Sequence, residues 1–199
     1  MAYGETPSQT VGPYFAYGLT PGQYGYDFTD IVDPTIAGPD AKGEHIRITG
    51  TVYDGEGNPV NDAMIEIWQA DANGVYNDNP IDVADTGFRG LGRCGTGMDA
   101  DNRFWFDTVK PGVVEDAHAP FVNVIVFMRG MLSHAFTRFY FDDEADRNAK
   151  DAVLQSVPED RRETLIAKRS QTSSTSPAGI EYRIDIHMQG DRETVFFDV

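Results

Sequence analysis

The side chains best suited to chemistry are four histidines, one cysteine, and the arginine that closes the run HAPFVNVIVFMRG at 118–130. Two imidazoles chelate a metal when His-x-His on a strand or His-x-x-x-His on a helix puts both rings on one face. His45, His118, His134 and His187 form no such pair, so the chain alone offers no chelate of that kind. His187 falls on the polar side of an alternating segment and His134 near a strand start, where imidazole serves surface or supporting contacts. Cys94, as the only cysteine, excludes an internal disulfide and a cysteine-based zinc site. There is no G-x-S-x-G, no P-loop and no G-x-G-x-x-G after a strand. Acids in QADANG and DNRF sit at turns, where Asp and Asn serve the backbone. Arg129 is left: a strand-end guanidinium that either snorkels beside an acid or holds an anion.

Charge narrows what such an anion can be. Sixteen Lys and Arg against 32 Asp and Glu give a formal net charge of -16. That field repels phosphate backbones and anionic lipid surfaces, which excludes nucleic acid and membrane as partners. A small anionic substrate meets the same repulsion and needs a local cation to hold it. The N-terminal MAYGETPSQT has no basic stretch followed by an apolar one, and no segment approaches 18 apolar residues. The expectation is a soluble, cytoplasmic protein.

The elements that position these residues read as strands. Its 199 residues suit a single domain, 1–199, with an irregular N-terminal arm over 1–43 and a β-sandwich over 44–199. Ile46, Ile48 and Val52 alternate with Arg47, Thr49 and Thr51, the period of a half-buried strand. AMIEIWQA, RFWFDTV, FVNVIVF, AFTRFYF and EYRIDIHM follow, each short and rich in β-branched or aromatic residues. Seven or so strands predict an all-β sandwich, with one helical segment from about Asp143 to Leu154. STSPAG at 174–179 reads as a hairpin loop. In FVNVIVFMRG the period of two puts Phe121, Asn123, Ile125, Phe127 and Arg129 on one face, with Arg129 about 20 Å beyond Asn123 at strand rise.

Seven motifs in order carry a resemblance over essentially the whole chain: ETPSQTVGPYF (5–15), IEIWQADANGVY (65–76), VKPG (109–112), HAPFVNVIVFMRG (118–130), FYFDDE (139–144), RRETLIAKR (161–169) and ETVFFDV (193–199). The chain resembles the intradiol ring-cleaving dioxygenases, and among them the iron-free α type of subunit in αβ members. The resemblance implies a transthyretin-like β-sandwich. It implies cleavage of protocatechuate with O2 to 3-carboxy-cis,cis-muconate, on Fe(III) held by two tyrosines and two histidines of a partner β subunit. In this chain Tyr76 matches the first tyrosine, Val114 stands in place of the second, and Phe121 and Asn123 in place of the histidines. Val, Phe and Asn do not supply the anionic and imidazole ligands that ferric iron requires. The resemblance also places Thr10, Gly12, Pro13, Tyr14 and Arg129 at a substrate cavity between subunits, with Arg129 holding the substrate carboxylate. No catalytic or metal-binding residue is expected in this chain, and Tyr76 is expected to pack rather than ligate. Two other readings differ on the partner. A stand-alone transthyretin-like binding or scaffolding module needs no iron-bearing chain, and a self-sufficient homo-oligomeric dioxygenase needs four ligands this sequence lacks.

Overall fold

Period-two alternation becomes strands in the computed structural model, which describes residues 10, 12, 14–79, 87–115, 118–170 and 179–198. In chain order these are α1 (Tyr14–Leu19), β1 (His45–Tyr53), β2 (Met64–Trp68), β3 (Leu91–Gly95), β4 (Arg103–Val109), β5 (Phe121–Phe127) and β6 (Ala135–Phe141). The remainder are α2 (Ala145–Asn148), α3 (Ala152–Ser156), β7 (Ile166–Ser170), β8 (Glu181–Arg183) and β9 (Ile186–His187). Neighbouring strands run in the order β3-β2-β5-β6-β7-β8-β1-β4, with β9 on β1. β7 is the corner: Ile166 and Ala167 pair parallel with β6, and Lys168 to Ser170 pair antiparallel with β8. The sheet therefore folds into two layers. Ile65, Ile67, Val122, Val124 and Phe139 of one meet Ile46, Ile48, Phe104 and Phe106 of the other in a buried core. The all-β expectation holds. Among the described residues no helix is long and apolar enough to cross a membrane.

The arm is more ordered than its composition suggests. Tyr14–Leu19 is a helix and Pro21–Tyr24 a 3-10 turn, where an irregular arm and a single helical segment were expected. Thr20 ends the helix by donating both its hydroxyl, at 3.0 Å, and its backbone amide, at 2.8 Å, to the carbonyl of Ala16, and Gly25 closes the turn at a φ of 72°. Six residues are too few for a 3.6-residue period to show in sequence. Residues 33–37 then lie between the outer strands of the two layers. The amide of Ile36 donates to the carbonyl of Asp107 on β4, while that of Arg93 on β3 donates to the carbonyl of Asp33. This stretch covers both sheet edges. Ile36 fills the space beside Gly92, where an added Cβ would lie 2.6 Å from its side chain. That is why LGRCG, poor in strand formers, escapes sequence reading: part of its packing is supplied by the arm.

Two more boundaries differ from expectation. EYRIDIHM divides into β8 and β9 at Ile184 and Asp185, where the Asp185 carboxylate accepts the Thr51 amide at 2.9 Å and the chain runs close to Gly50, on which a Cβ would meet the Ile184 carbonyl at 1.7 Å. The helical stretch of 143–154 divides at Asp151, whose carboxylate caps α3 by accepting the Leu154 amide at 2.8 Å. IAKRS forms β7, a strand its mixed polarity does not announce. The predicted hairpin loop at 174–179 lies almost wholly outside the described residues.

Candidate functional site

The antiparallel register of β2 and β5 pairs Met64 with Phe127. Continued two residues past the strand ends, it brings Asp62 opposite Arg129, and the Asp62 carboxylate accepts from Arg129 Nε. Asp62 is largely buried, whereas the Arg129 side chain is 57% exposed. The neighbouring Gly130, at a φ of 86°, donates its amide to Thr10 Oγ1 at 3.3 Å, which ties the beginning of the arm to the Arg129 loop. Gln23 holds the arm down from the other side. Its Nε2 donates to the Asn61 carbonyl at 3.2 Å, and its side chain lies where Cβ atoms on Gly95 and Gly97 would be. A cleft of about 340 Å³ results, walled by Phe15, Tyr17, Gln23 and Tyr24, floored by Asp62, and bordered by Arg129. Burial pushes the Tyr24 phenol above its ordinary pKa, and the Asp62 charge adds to the shift against the pull of Arg129. The phenol stays neutral near pH 7.

Of the residues expected at the substrate cavity, Thr10 and Arg129 are thus brought together. Gly12 lies in the same arm segment at a φ of 69°, a conformation suited to glycine. Tyr14 begins α1, and Pro13 is outside the described residues. Asp62, Gln23 and Tyr24 were not singled out from sequence. Arg129 and Asp62 are 67 residues apart in the chain, and only the strand register reveals their proximity.

The four positions matched to iron ligands also converge, at the other end of β5. The turn Asp71–Val75 meets the Lys110–Val114 loop where the Gly112 amide donates to the Asp71 carbonyl at 2.8 Å. Gly74 permits this approach, because a Cβ there would lie 1.9 Å from the Val113 carbonyl oxygen. Tyr76 and Val114 are carried in by these two loops. Register sets Trp68, Asn123 and Arg138 side by side across β2, β5 and β6. Asn123 Nδ2 donates to the Tyr76 hydroxyl at 3.2 Å, and Arg138 Nε donates to Asn123 Oδ1 at 3.2 Å. The Arg138 guanidinium lies 4.2 Å from the centroid of Phe121, and Trp68 packs on Tyr76 at 4.7 Å. Phe121 and Val114 join a second apolar cluster with Tyr140, Leu154 and Leu165.

This constellation does not fit ferric iron. A hydrocarbon, a phenyl ring and a carboxamide stand where anionic or imidazole donors are required, and a guanidinium already supplies the positive charge. Burial raises the pKa of Tyr76, outweighing the Asn123 hydrogen bond and the Arg138 charge, so the phenol stays protonated. Behind it, the fully buried Asp151 accepts from the amides of Leu154 and Ala119, from the Tyr140 hydroxyl at 3.1 Å, and pairs with His118 Nδ1 at 3.2 Å. Burial works to raise the Asp151 pKa, but these bonds together hold it below the usual carboxylate value. Beside the cluster is a cavity of about 500 Å³, walled by Trp68, Ile125, Phe136 and Phe197 and edged by Arg138. The outward alternation of AFTRFYF could have flagged Arg138 in sequence, but its register against Asn123 could not be read there.

Comparison with known proteins places this geometry. The family model described as Dioxygenase matches residues 11–190. The chain is similar to the protocatechuate 3,4-dioxygenase alpha chain of Burkholderia cepacia, at 56% identity over 195 residues, covering 98% of each chain. It is 47% identical over 200 residues to the alpha chain of Pseudomonas putida, covering 98% of this chain and 96% of that one. The corresponding beta chain of Burkholderia cepacia is 31% identical over 173 residues, covering 81% of this chain and 71% of the relative. Among solved structures, the dioxygenase domain of a dioxygenase carbohydrate-binding protein fusion from Streptomyces sp. SirexAA-E superposes with a TM-score of 0.58 at 22% identity, covering 96% and 100% of the two chains. That likeness concerns the fold.

Proposed function

The chain belongs to the intradiol ring-cleaving dioxygenase family, and on that premise we propose that it is the non-iron-binding alpha subunit of a heteromeric protocatechuate 3,4-dioxygenase. The family is iron-dependent, and the reaction we assign to the complex adds both atoms of O2 to protocatechuate to give 3-carboxy-cis,cis-muconate. One observation carries the assignment of roles: the four positions matched to iron ligands hold Tyr76, Val114, Phe121 and Asn123, with the Arg138 guanidinium between Asn123 and Phe121. Iron and ring cleavage then belong to a beta subunit, whose separate existence in the family supports an alpha-beta assembly. We read residues 1–199 as one domain that supplies this partner with a face.

This chain's own share is binding and orientation. Arg129 holds the substrate carboxylate, offsetting the repulsion of a protein of net charge -16. The family resemblance assigns Thr10, Gly12, Pro13 and Tyr14 to the same mouth, where glycine allows close backbone approach and a tyrosine would offer a flat face. The hydrogen bond from the Gly130 amide to Thr10 Oγ1 supports this reading, because it joins the arm to the Arg129 loop within this chain. A cavity closed by a second chain loses water, which strengthens a charge-assisted hydrogen bond at Arg129.

The test is iron content and protocatechuate turnover for this chain purified alone and after co-expression with a beta-type subunit. Iron-free, inactive protein that becomes a coloured, ferric, active complex is the expected result. Stoichiometric iron with turnover in the isolated chain would overturn it.

A further inference from the structure

We propose that Asp62 is a positioning residue for substrate recognition, acting through Arg129. The inference rests on the reading of Arg129 as the anchor for the substrate carboxylate, and adds a residue to that site. Arg129 stands in the loop past β5, and its side chain is mostly exposed. A long side chain in that setting samples many rotamers, and ordering it on binding opposes affinity. Asp62 removes part of that freedom. It lies two residues before β2, is 20% exposed, and faces Arg129 because the β2 and β5 register continues past both strands. Its neighbour Asn61 is gripped by Gln23 of the arm, so the acid sits on a backbone held from two sides.

The way the pair is made matters. Asp62 engages Nε of the guanidinium, which leaves the edge formed by Nη1 and Nη2 for a two-point contact with a carboxylate. One carboxylate from the protein thereby orients a cation toward a second one from the ligand. Asp62 also brings a negative charge near the substrate, and the two effects oppose each other. The guanidinium lies between the two anions and offsets their repulsion, so orientation dominates.

The experiment uses the iron-bearing alpha-beta complex. It measures kcat and KM for protocatechuate, and the inhibition constant of catechol, which has the same diol and no carboxylate. Asp62→Ala is expected to raise KM for protocatechuate about tenfold, with kcat and the catechol constant unchanged. Asp62→Asn keeps an acceptor for Nε and is expected to retain most of the affinity. Asp62→Ala combined with Arg129→Ala should be no worse than Arg129→Ala alone, since Asp62 acts only through the arginine. Unchanged or lowered KM in Asp62→Ala, while Arg129→Ala raises it, would overturn the positioning role and leave the Arg129 reading standing. Unchanged KM in Arg129→Ala would overturn both. A catechol constant that rises with KM in the Asp62 variants would mean general damage to the cavity, and would also overturn the role.

Discussion

β5 starts in one candidate site and runs out into the other, and the two ends are built on opposite terms. At Asn123 the side chains complete one another: Tyr76, Asn123 and Arg138 are joined by hydrogen bonds, Arg138 lies on Phe121, and Trp68 lies on Tyr76. At Arg129 the guanidinium is exposed, held by Asp62 on a loop that a hydrogen bond from Gly130 to Thr10 ties to the arm. The first end behaves as core with a polar seam, and the second as half of a site. Where ligand chemistry is lost, apolar packing and an internal cation take over the space. Where the proposed function puts recognition, the side chain is left open to whatever closes over it.

The largest effect expected from this contrast is on stability, behind the closed end. Asp151 is fully buried, and its carboxylate organises Tyr140, His118 and the start of α3. Replacing it by Ala leaves several donors without a partner, which costs about 3 kcal/mol and lowers Tm by about 10 °C in a chain of this size. Thermal unfolding of the purified variant measures this. The same group sets an acid limit. Its folded pKa is depressed, so its contribution is complete above the unfolded carboxyl value of about 3.9 and is lost as pH falls through the lower folded value. Stability of the native chain should therefore fall below about pH 4, and Asp151→Asn should flatten that part of the curve. A Tm unchanged in Asp151→Ala would mean the closed end is not held together in this way.

Arg129→Ala should behave in the reverse manner. An exposed arginine paired with one acid adds little to stability, so Tm should change by no more than about 1–2 °C. In the alpha-beta complex, KM for protocatechuate should rise at least about tenfold with iron content unchanged. Paired with Arg138→Met, the experiment sharpens the comparison. An apolar side chain of similar length can fill the Arg138 space without its charge, so that variant should leave KM unaltered. If both arginine variants changed KM alike, the two ends of β5 would not be functionally distinct.

What sequence could foresee follows the same division. Strands with clean alternation, such as Arg103–Val109 and Phe121–Phe127, are visible because each residue reports its own burial. Leu91–Gly95 is not, since Ile36, more than fifty residues earlier, supplies part of its packing. The same holds for the sites. Thr10 and Arg129 were named from motifs, and the structure joins their segments by a hydrogen bond. Asp62 and Arg138 depend on register between strands distant in sequence, which no single segment encodes. The order within the arm was missed for a local reason, since its helix and turn are each shorter than two periods.

Tyr76→Phe gives the smallest effect and tests the closed end most directly. The family resemblance matches Tyr76 to an iron-binding tyrosine, yet its hydroxyl accepts from Asn123 and its phenol is kept protonated by burial. If it serves packing alone, removing the hydroxyl deletes one neutral hydrogen bond. The cost is about 1 kcal/mol, a fall in Tm of about 2–4 °C. The iron content, colour and kcat of the alpha-beta complex should stay as they were. Were the phenol to ligate iron in the complex, its removal would shift the visible charge-transfer absorption and lower metal retention, because a phenolate is among the strongest donors available to a ferric ion. The two accounts differ in what moves: melting temperature alone if Tyr76 is structural, spectrum and metal together if it is a ligand.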